Sequence, residues 1–139
     1  MKIKLEFDVK PMAKQSFRTT RTGNKYLDPS VIKYRKTIRN MAIAQMRNQK
    51  AERIEGAVNM NIIYAFRRPK SLSKKERSEI DGGKTVPKTT KPDIDNLTKA
   101  ILDALNGIAW KDDAQVAQIN IQKIWSTKDQ IEIEIWETK

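Results

Sequence analysis

Hydrophobic and polar residues alternate at the start of the chain, with Ile3, Leu5, Phe7 and Val9 standing between Lys2, Lys4, Glu6, Asp8 and Lys10. This two-residue period predicts a strand with one buried face, ended by Pro11. Residues 11–29 are polar, basic and turn-rich, with Gly23-Asn24 as a turn, and read as a loop or short hairpin. From Ser30 the period becomes helical. Val31, Tyr34, Ile38, Met41, Ala42 and Met46 share one side, while Lys33, Lys36, Arg39 and Arg47 contribute to a basic remainder, predicting a helix over about 30–50.

Val58, Met60, Ile62, Tyr64 and Phe66 alternate again and predict a second strand before Arg67-Arg68-Pro69. Residues 67–91 carry no extended apolar stripe and include Gly82-Gly83, Ser and Pro, with room for a short helix near 73–80. The segment reads as a mobile basic loop or as a tolerated surface insertion. A second main helix is expected over about 94–106, followed by strands near 114–125 and 131–136, with Ser126-Thr127-Lys128-Asp129-Gln130 as the turn of a hairpin. The order β-α-β-α-β-β predicts an α+β fold with a mixed or antiparallel sheet and two main helices. With no repeat or linker, residues 1–139 read as a single domain.

Composition narrows the chemistry. The 139 residues contain neither Cys nor His, which excludes thiol nucleophiles, His general bases and zinc fingers. Any metal must be held by oxygen, which suits Mg²⁺ and Mn²⁺. The N-terminus lacks the pattern of a signal peptide and no stretch is apolar enough to span a membrane, so a cytoplasmic protein is expected. The net charge of +11 is uneven: residues 10–53 hold 12 Lys/Arg against two acids and residues 67–91 nine against three, whereas 92–113 holds five Asp against two Lys. Basic flanks attract a polyanion, and an acidic island among them would repel it unless the acids held a cation. A Lys-rich surface that merely keeps the chain soluble is the plain alternative.

The island begins at Lys91-Pro92-Asp93-Ile94-Asp95-Asn96-Leu97-Thr98-Lys99. At about 100° per residue Ile94, Leu97, Ile101, Leu105 and Ile108 form one stripe, and Asp95, Lys99, Asp103 and Asn106 another face. Asp93 falls at the helix start after Pro92. One reading makes Asp93 a helix cap and pairs Asp95 and Asp103 with Lys99. The other notes that Asp112-Asp113, after a short turn, can return two more carboxylates to the same helix, where only a cation relieves their repulsion.

The stretch KPDIDNLTKAILDALNGIAWKDDAQV, combining PDxDNLxK, the DALNG turn and DDxQV in order, resembles the signature of the RusA-like Holliday-junction resolvases, crossover-junction endodeoxyribonucleases often encoded in prophages. The close resemblance covers about 26 residues. It implies a small homodimer that cuts branched DNA with Mg²⁺, or Mn²⁺ in its place. Asp93 and Asp95 match the two acids of the family's DxD, Lys99 its essential lysine and Asp113 the second acid of its DD pair; Asp112 and Asp103 match lesser acids. Gln115 and Val116, following in register, favour Asp113.

Lys14, Arg18, Arg21, Lys25, Arg67 and Arg68 are the candidate DNA contacts, with Tyr26 and Phe17 as stacking partners for unpaired bases or else as core residues. Trp110, Trp125, Trp136 and the row Ile131, Ile133, Ile135 are read as apolar material that a thin sheet leaves for a partner copy, or else as ordinary core. Two alternatives remain at this stage: a non-catalytic basic DNA-binding module, and a nuclease acting mainly on forks or flaps.

Overall fold

A computed structural model describes residues 1–13 and 18–139. The first strand, β1 (Lys2–Phe7), buries Ile3, Leu5 and Phe7 as its alternation requires. A two-rung hairpin, β2 (Arg18–Thr19) and β3 (Lys25–Tyr26), turns at Gly23, whose φ of 85° suits glycine. Helix α1 (Pro29–Asn48) starts where the Asp28 carboxylate accepts the Ser30 backbone N–H at 2.9 Å and Pro29 sets the first helical residue. Then come β4 (Ala57–Arg67), α2 (Lys74–Asp81), β5 (Val86–Pro87), α3 (Ile94–Leu105), β6 (Val116–Ser126) and β7 (Gln130–Thr138).

The main sheet has the order β1-β7-β4-β6-β5 and is mixed, since β4 runs parallel to β6 and antiparallel to β7. The α+β expectation holds, with α2 as a third helix. Helices α1 and α3 cover one face, where Tyr34, Ile38 and Ala42 meet Leu97, Ile101 and Leu105 over the inward rows of β1, β4 and β7. The opposite face carries charges such as Lys2 and Glu134, paired at 3.3 Å. At the outer edge of β1, Gln45 and Gln49 of α1 act as paired amides. Gln45 accepts the Glu6 N–H at 2.8 Å and donates to its carbonyl at 2.6 Å; Gln49 does the same to Lys4 at 3.0 and 2.6 Å.

Four sequence expectations change. β6 and β7 are not a hairpin, because β4 lies between them. Two strand spacings come to about 10 Å, and residues 127–129 span that gap over the end of β4, where Asp129 accepts the Arg67 N–H at 2.8 Å. Loop length alone does not reveal an intervening strand. Segment 67–91 does pack: α2 is capped by Ser73, buries Ile80, and leads to β5 paired with Trp125 and Ile124. A single buried apolar position leaves no periodic trace. Ile94 leaves the buried stripe and is 45% exposed, because the core contact of α3 begins one turn later at Leu97. Finally, Trp110, Ile131, Ile133 and Ile135 are fully buried within the chain, so they offer nothing to a partner.

One polar contact crosses this core. The Tyr64 hydroxyl on β4 lies 3.0 Å from the Thr98 hydroxyl on α3, and burial pushes the Tyr64 phenol pKa well up. Thr98→Val strands the Tyr64 hydroxyl and should cost about 1–3 kcal/mol in urea unfolding, whereas adding Tyr64→Phe should recover most of it. Simple addition of the two losses would contradict this contact.

Candidate active site

The site is built where the chain enters α3. Lys88, on the strand side, is only 7% exposed; its ammonium donates to the Lys91 carbonyl at 2.7 Å and to the Thr90 hydroxyl. Lys123, on β6, donates to the carbonyls of Thr90 at 2.6 Å and Pro92 at 2.7 Å. Two ammonium groups thus hold consecutive carbonyls of the Thr90–Pro92 turn. Lys88 also sits over the rings of Trp125 and Phe66, at 4.4 and 5.1 Å from their centroids. Desolvation, then the charges of Lys123 and Lys10, lower the Lys88 pKa.

Asp93 occupies the position before the first residue of α3, yet its carboxylate makes no capping bond. It turns instead to Lys91, whose ammonium lies 2.9 Å away. That hydrogen bond, helped by the charges of Lys91 and Lys123 and opposed by desolvation, holds the Asp93 carboxyl below the usual carboxylate range. Lys91 is raised correspondingly, first by the Asp93 hydrogen bond and charge and also by the charge of Asp95. The charges of both acids therefore act on one cation. Asp95 is exposed in the first turn, and Lys99 is exposed one turn on, with no ion-pair partner among the described residues. The positive end of the helix dipole points at the acids. At the far end, Arg39 of α1 donates to the carbonyls of Ala104 at 3.0 Å and Asn106 at 3.1 Å, where a cation suits the dipole.

Past α3, Gly107 turns the chain with φ 81°. The Asp113 carboxylate then accepts the indole N–H of buried Trp110 at 2.8 Å. Gln115 fixes this loop from both sides: its Oε1 accepts the N–H groups of Lys111 and Asp112 at 2.8 Å, and its Nε2 donates to the carbonyls of Ile54 at 3.0 Å and Gly56 at 2.9 Å. Asp112 is exposed and Asp103 half-buried. Asp93 and Asp95 stand together, but among the described residues no three acidic side chains gather closely enough to hold a metal ion. The three-acid set expected from sequence is not assembled in the single chain.

Of the candidate DNA contacts, Arg21, Lys25 and Tyr26 are exposed on the hairpin, and Tyr26, 43% exposed, is not a core residue. Arg67 is exposed, whereas Arg68 is held bidentate by Asp81 at 2.7 and 2.9 Å. Lys14, Phe17 and the side chain of Arg18 lie outside the described residues. Sequence reasoning passed over Lys88, Lys123 and Arg39 because their roles lie in contacts to distant carbonyls. It noticed Gln115 only as a marker of register.

An exposed acid pair at a helix start, with an exposed lysine one turn on and basic surface around it, equips a chain to work on phosphate-rich polymers. The chain belongs to the Endodeoxyribonuclease RusA family, whose model matches residues 7–136. It is also 37% identical over 112 residues to "Uncharacterized protein YqaN" of Bacillus subtilis (strain 168), covering 79% of this chain and 77% of that protein. Family membership implies a nuclease of the Holliday-junction-resolving class that binds branched DNA. Among the described residues no helix is long and apolar enough to cross a membrane.

The Lys91–Asp93 pair has a readable signature. Because the Asp93 pKa is lowered, the pair contributes at neutral pH and is lost on acidification through that lowered value. Lys91→Ala should move the Asp93 carboxyl upward toward its ordinary range in a carbon-detected NMR titration. An unmoved Asp93 would contradict the ion pair.

Proposed function

We propose that this chain is a divalent-metal-dependent endonuclease that resolves four-way DNA junctions by paired phosphodiester hydrolysis, with Mg²⁺ as its ion and Mn²⁺ able to substitute. The observation that carries the reading is the state of Asp93: a carboxylate at a helix start that is not used as a cap, beside the exposed Asp95. A structural pair of acids at this place would be consumed by the helix N–H groups.

The donor chemistry fits a hard cation, since only oxygen ligands are on offer. Asp93 and Asp95 would hold the ion; Asp113, which does not gather with them in the single chain, would join as third ligand only by a movement of its loop, through the oxygen not taken by Trp110. Asp112 and Asp103 are secondary candidates. Such an ion, when bound, lowers the pKa of a water and offsets charge on the phosphoryl oxygens. The remaining work falls to the protein. Lys99 faces the phosphate and stabilises charge developing on its oxygens. Gln115 keeps Asp113 in place, and Lys88 and Lys123 keep Asp93 in place. Arg21, Lys25 and Arg67 hold the DNA backbone, with Lys14 and Arg18 as further contacts and Tyr26 available to stack on an unpaired base. Arg68 acts through its pair with Asp81, shaping the surface.

The test is a panel of labelled four-way junctions, forks, flaps and linear duplexes incubated with and without Mg²⁺. Asp93→Asn, Asp95→Asn and Asp113→Asn should each lose cleavage by at least about 100-fold while keeping most junction binding. A near-normal rate in any one removes that residue from the site, and stronger cutting of forks or flaps replaces the substrate.

We also propose a homodimer. Its support is now the two-fold symmetry of the junction, which asks for two cuts and hence two sites. Sedimentation equilibrium of the DNA-free protein should give twice the mass of one chain, and a single-chain mass throughout would defeat a preassembled pair.

A further inference from the structure

Beside the Thr90–Pro92 turn lies a cavity of about 450 Å³ between the ends of β4 and β6. Five cationic side chains line it, Lys10, Arg67, Arg68, Lys88 and Lys91, against the single carboxylate of Asp129. Phe66 and Trp125 form its apolar wall, under the ammonium of Lys88. Several of these groups are already engaged. Lys88 holds the turn, Arg68 holds Asp81, Lys91 holds Asp93, and Asp129 accepts a backbone N–H of Arg67. The Lys10 and Arg67 heads have no partner among the described residues, and both are exposed at the mouth.

Like charges collected in a concave, partly apolar site repel one another more strongly than on open surface. The lowered Lys88 pKa, to which the Lys123 and Lys10 charges contribute after desolvation, records that repulsion. An anion in the cavity would relieve it. The lining also continues. A neighbouring cavity of about 510 Å³ shares Arg67, Arg68 and Pro69 and adds Lys70, Arg77, Thr127 and the carboxylate of Asp81, and among the described residues the Nε of Arg77 is buried without a hydrogen-bond partner. Position then identifies the source of the anion: Lys91 and Pro92 line the first cavity and are the two residues directly before Asp93.

We propose that this cavity is a phosphate subsite for the DNA strand being cut, receiving a phosphate next to the scissile one, on one side of the cut only, through Lys10 and Arg67. The proposal rests on the nuclease reading for the identity of the strand, but not on the hydrolytic step. A free anion would fill the charge as well, yet only a strand ties the cavity to the acids beside it.

The experiment replaces single phosphates flanking the cut of a four-way junction with uncharged methylphosphonates, and measures binding in EDTA by wild type and by a Lys10→Ala/Arg67→Ala variant. Both residues are exposed, and circular dichroism checks that the variant folds. One neutral phosphate within about two nucleotides of the cut, on one side, should weaken wild-type binding about tenfold and the variant less than about twofold. Equal losses in the two proteins, or no sensitive phosphate in wild type, would overturn the subsite. Cleavage of the same junctions in Mg²⁺ is read separately. A wild type with one sensitive phosphate beside the branch point, lost in the variant, that never cuts in Mg²⁺ keeps the cavity as a strand-phosphate site and sinks the metal-dependent hydrolysis.

Discussion

The grip of two lysines on the turn that begins α3 is the constraint on which the rest of the site depends. A lysine as covered as Lys88 is costly to hold unless the hydrogen bonds its ammonium gives up to water are replaced. Here they are replaced by the Lys91 carbonyl and the Thr90 hydroxyl, with two aromatic faces beneath. Lys123 adds carbonyl contacts from the neighbouring strand β6. Since both lysines are anchored in the sheet region, the backbone immediately before Asp93 is referenced to the sheet rather than to solvent. The Tyr64–Thr98 contact references the next turn of the helix to the same sheet.

Electrostatics is arranged around that frame by separation. A chain of net charge +11 keeps its acid pair at the positive end of a helix and places Arg39 at the negative end. Lys91 both pairs with Asp93 and lines the basic cavity. Its side chain is 84% exposed and that of Asp93 49%, so a surface pair of this kind is worth little in stability. A weak contact is easily exchanged. Its partners can therefore part from one another at small cost.

Much of the fold was legible where burial has a period. The strand at Ile3–Phe7, the helix from Ser30, the strand from Val58 and the helix carrying Leu97, Ile101 and Leu105 all follow from alternation or helical spacing. Sheet order was not, because pairing joins positions far apart: Ile62 pairs with Ile133 on one side and Ile121 on the other, and nothing local marks β4 as central. Of the site, the residue types and spacing of Asp93, Asp95 and Lys99 were visible. The bond from Trp110 to Asp113 was not, since a single contact within a loop leaves no period, and neither was the fourfold use of Gln115, two of whose bonds depend on where residues 54–56 come to rest.

The glutamine pair on β1 bears on how such a chain can associate. Lys4 and Glu6 present their outward backbone groups at two-residue spacing, and Gln45 and Gln49, one helical turn apart, satisfy both. Two strand residues advance about 6.8 Å and four helical residues about 6 Å, so the periods nearly match. This border of the sheet is sealed against a stranger's strand. On the other side β5, two residues long, pairs only with Trp125 and Ile124 of β6, so among the described residues the outer edge of β6 from Ala117 to Gln122 has no strand beside it. The two borders are therefore unlike, one closed to strand addition by its own helix and the other left open along most of its length.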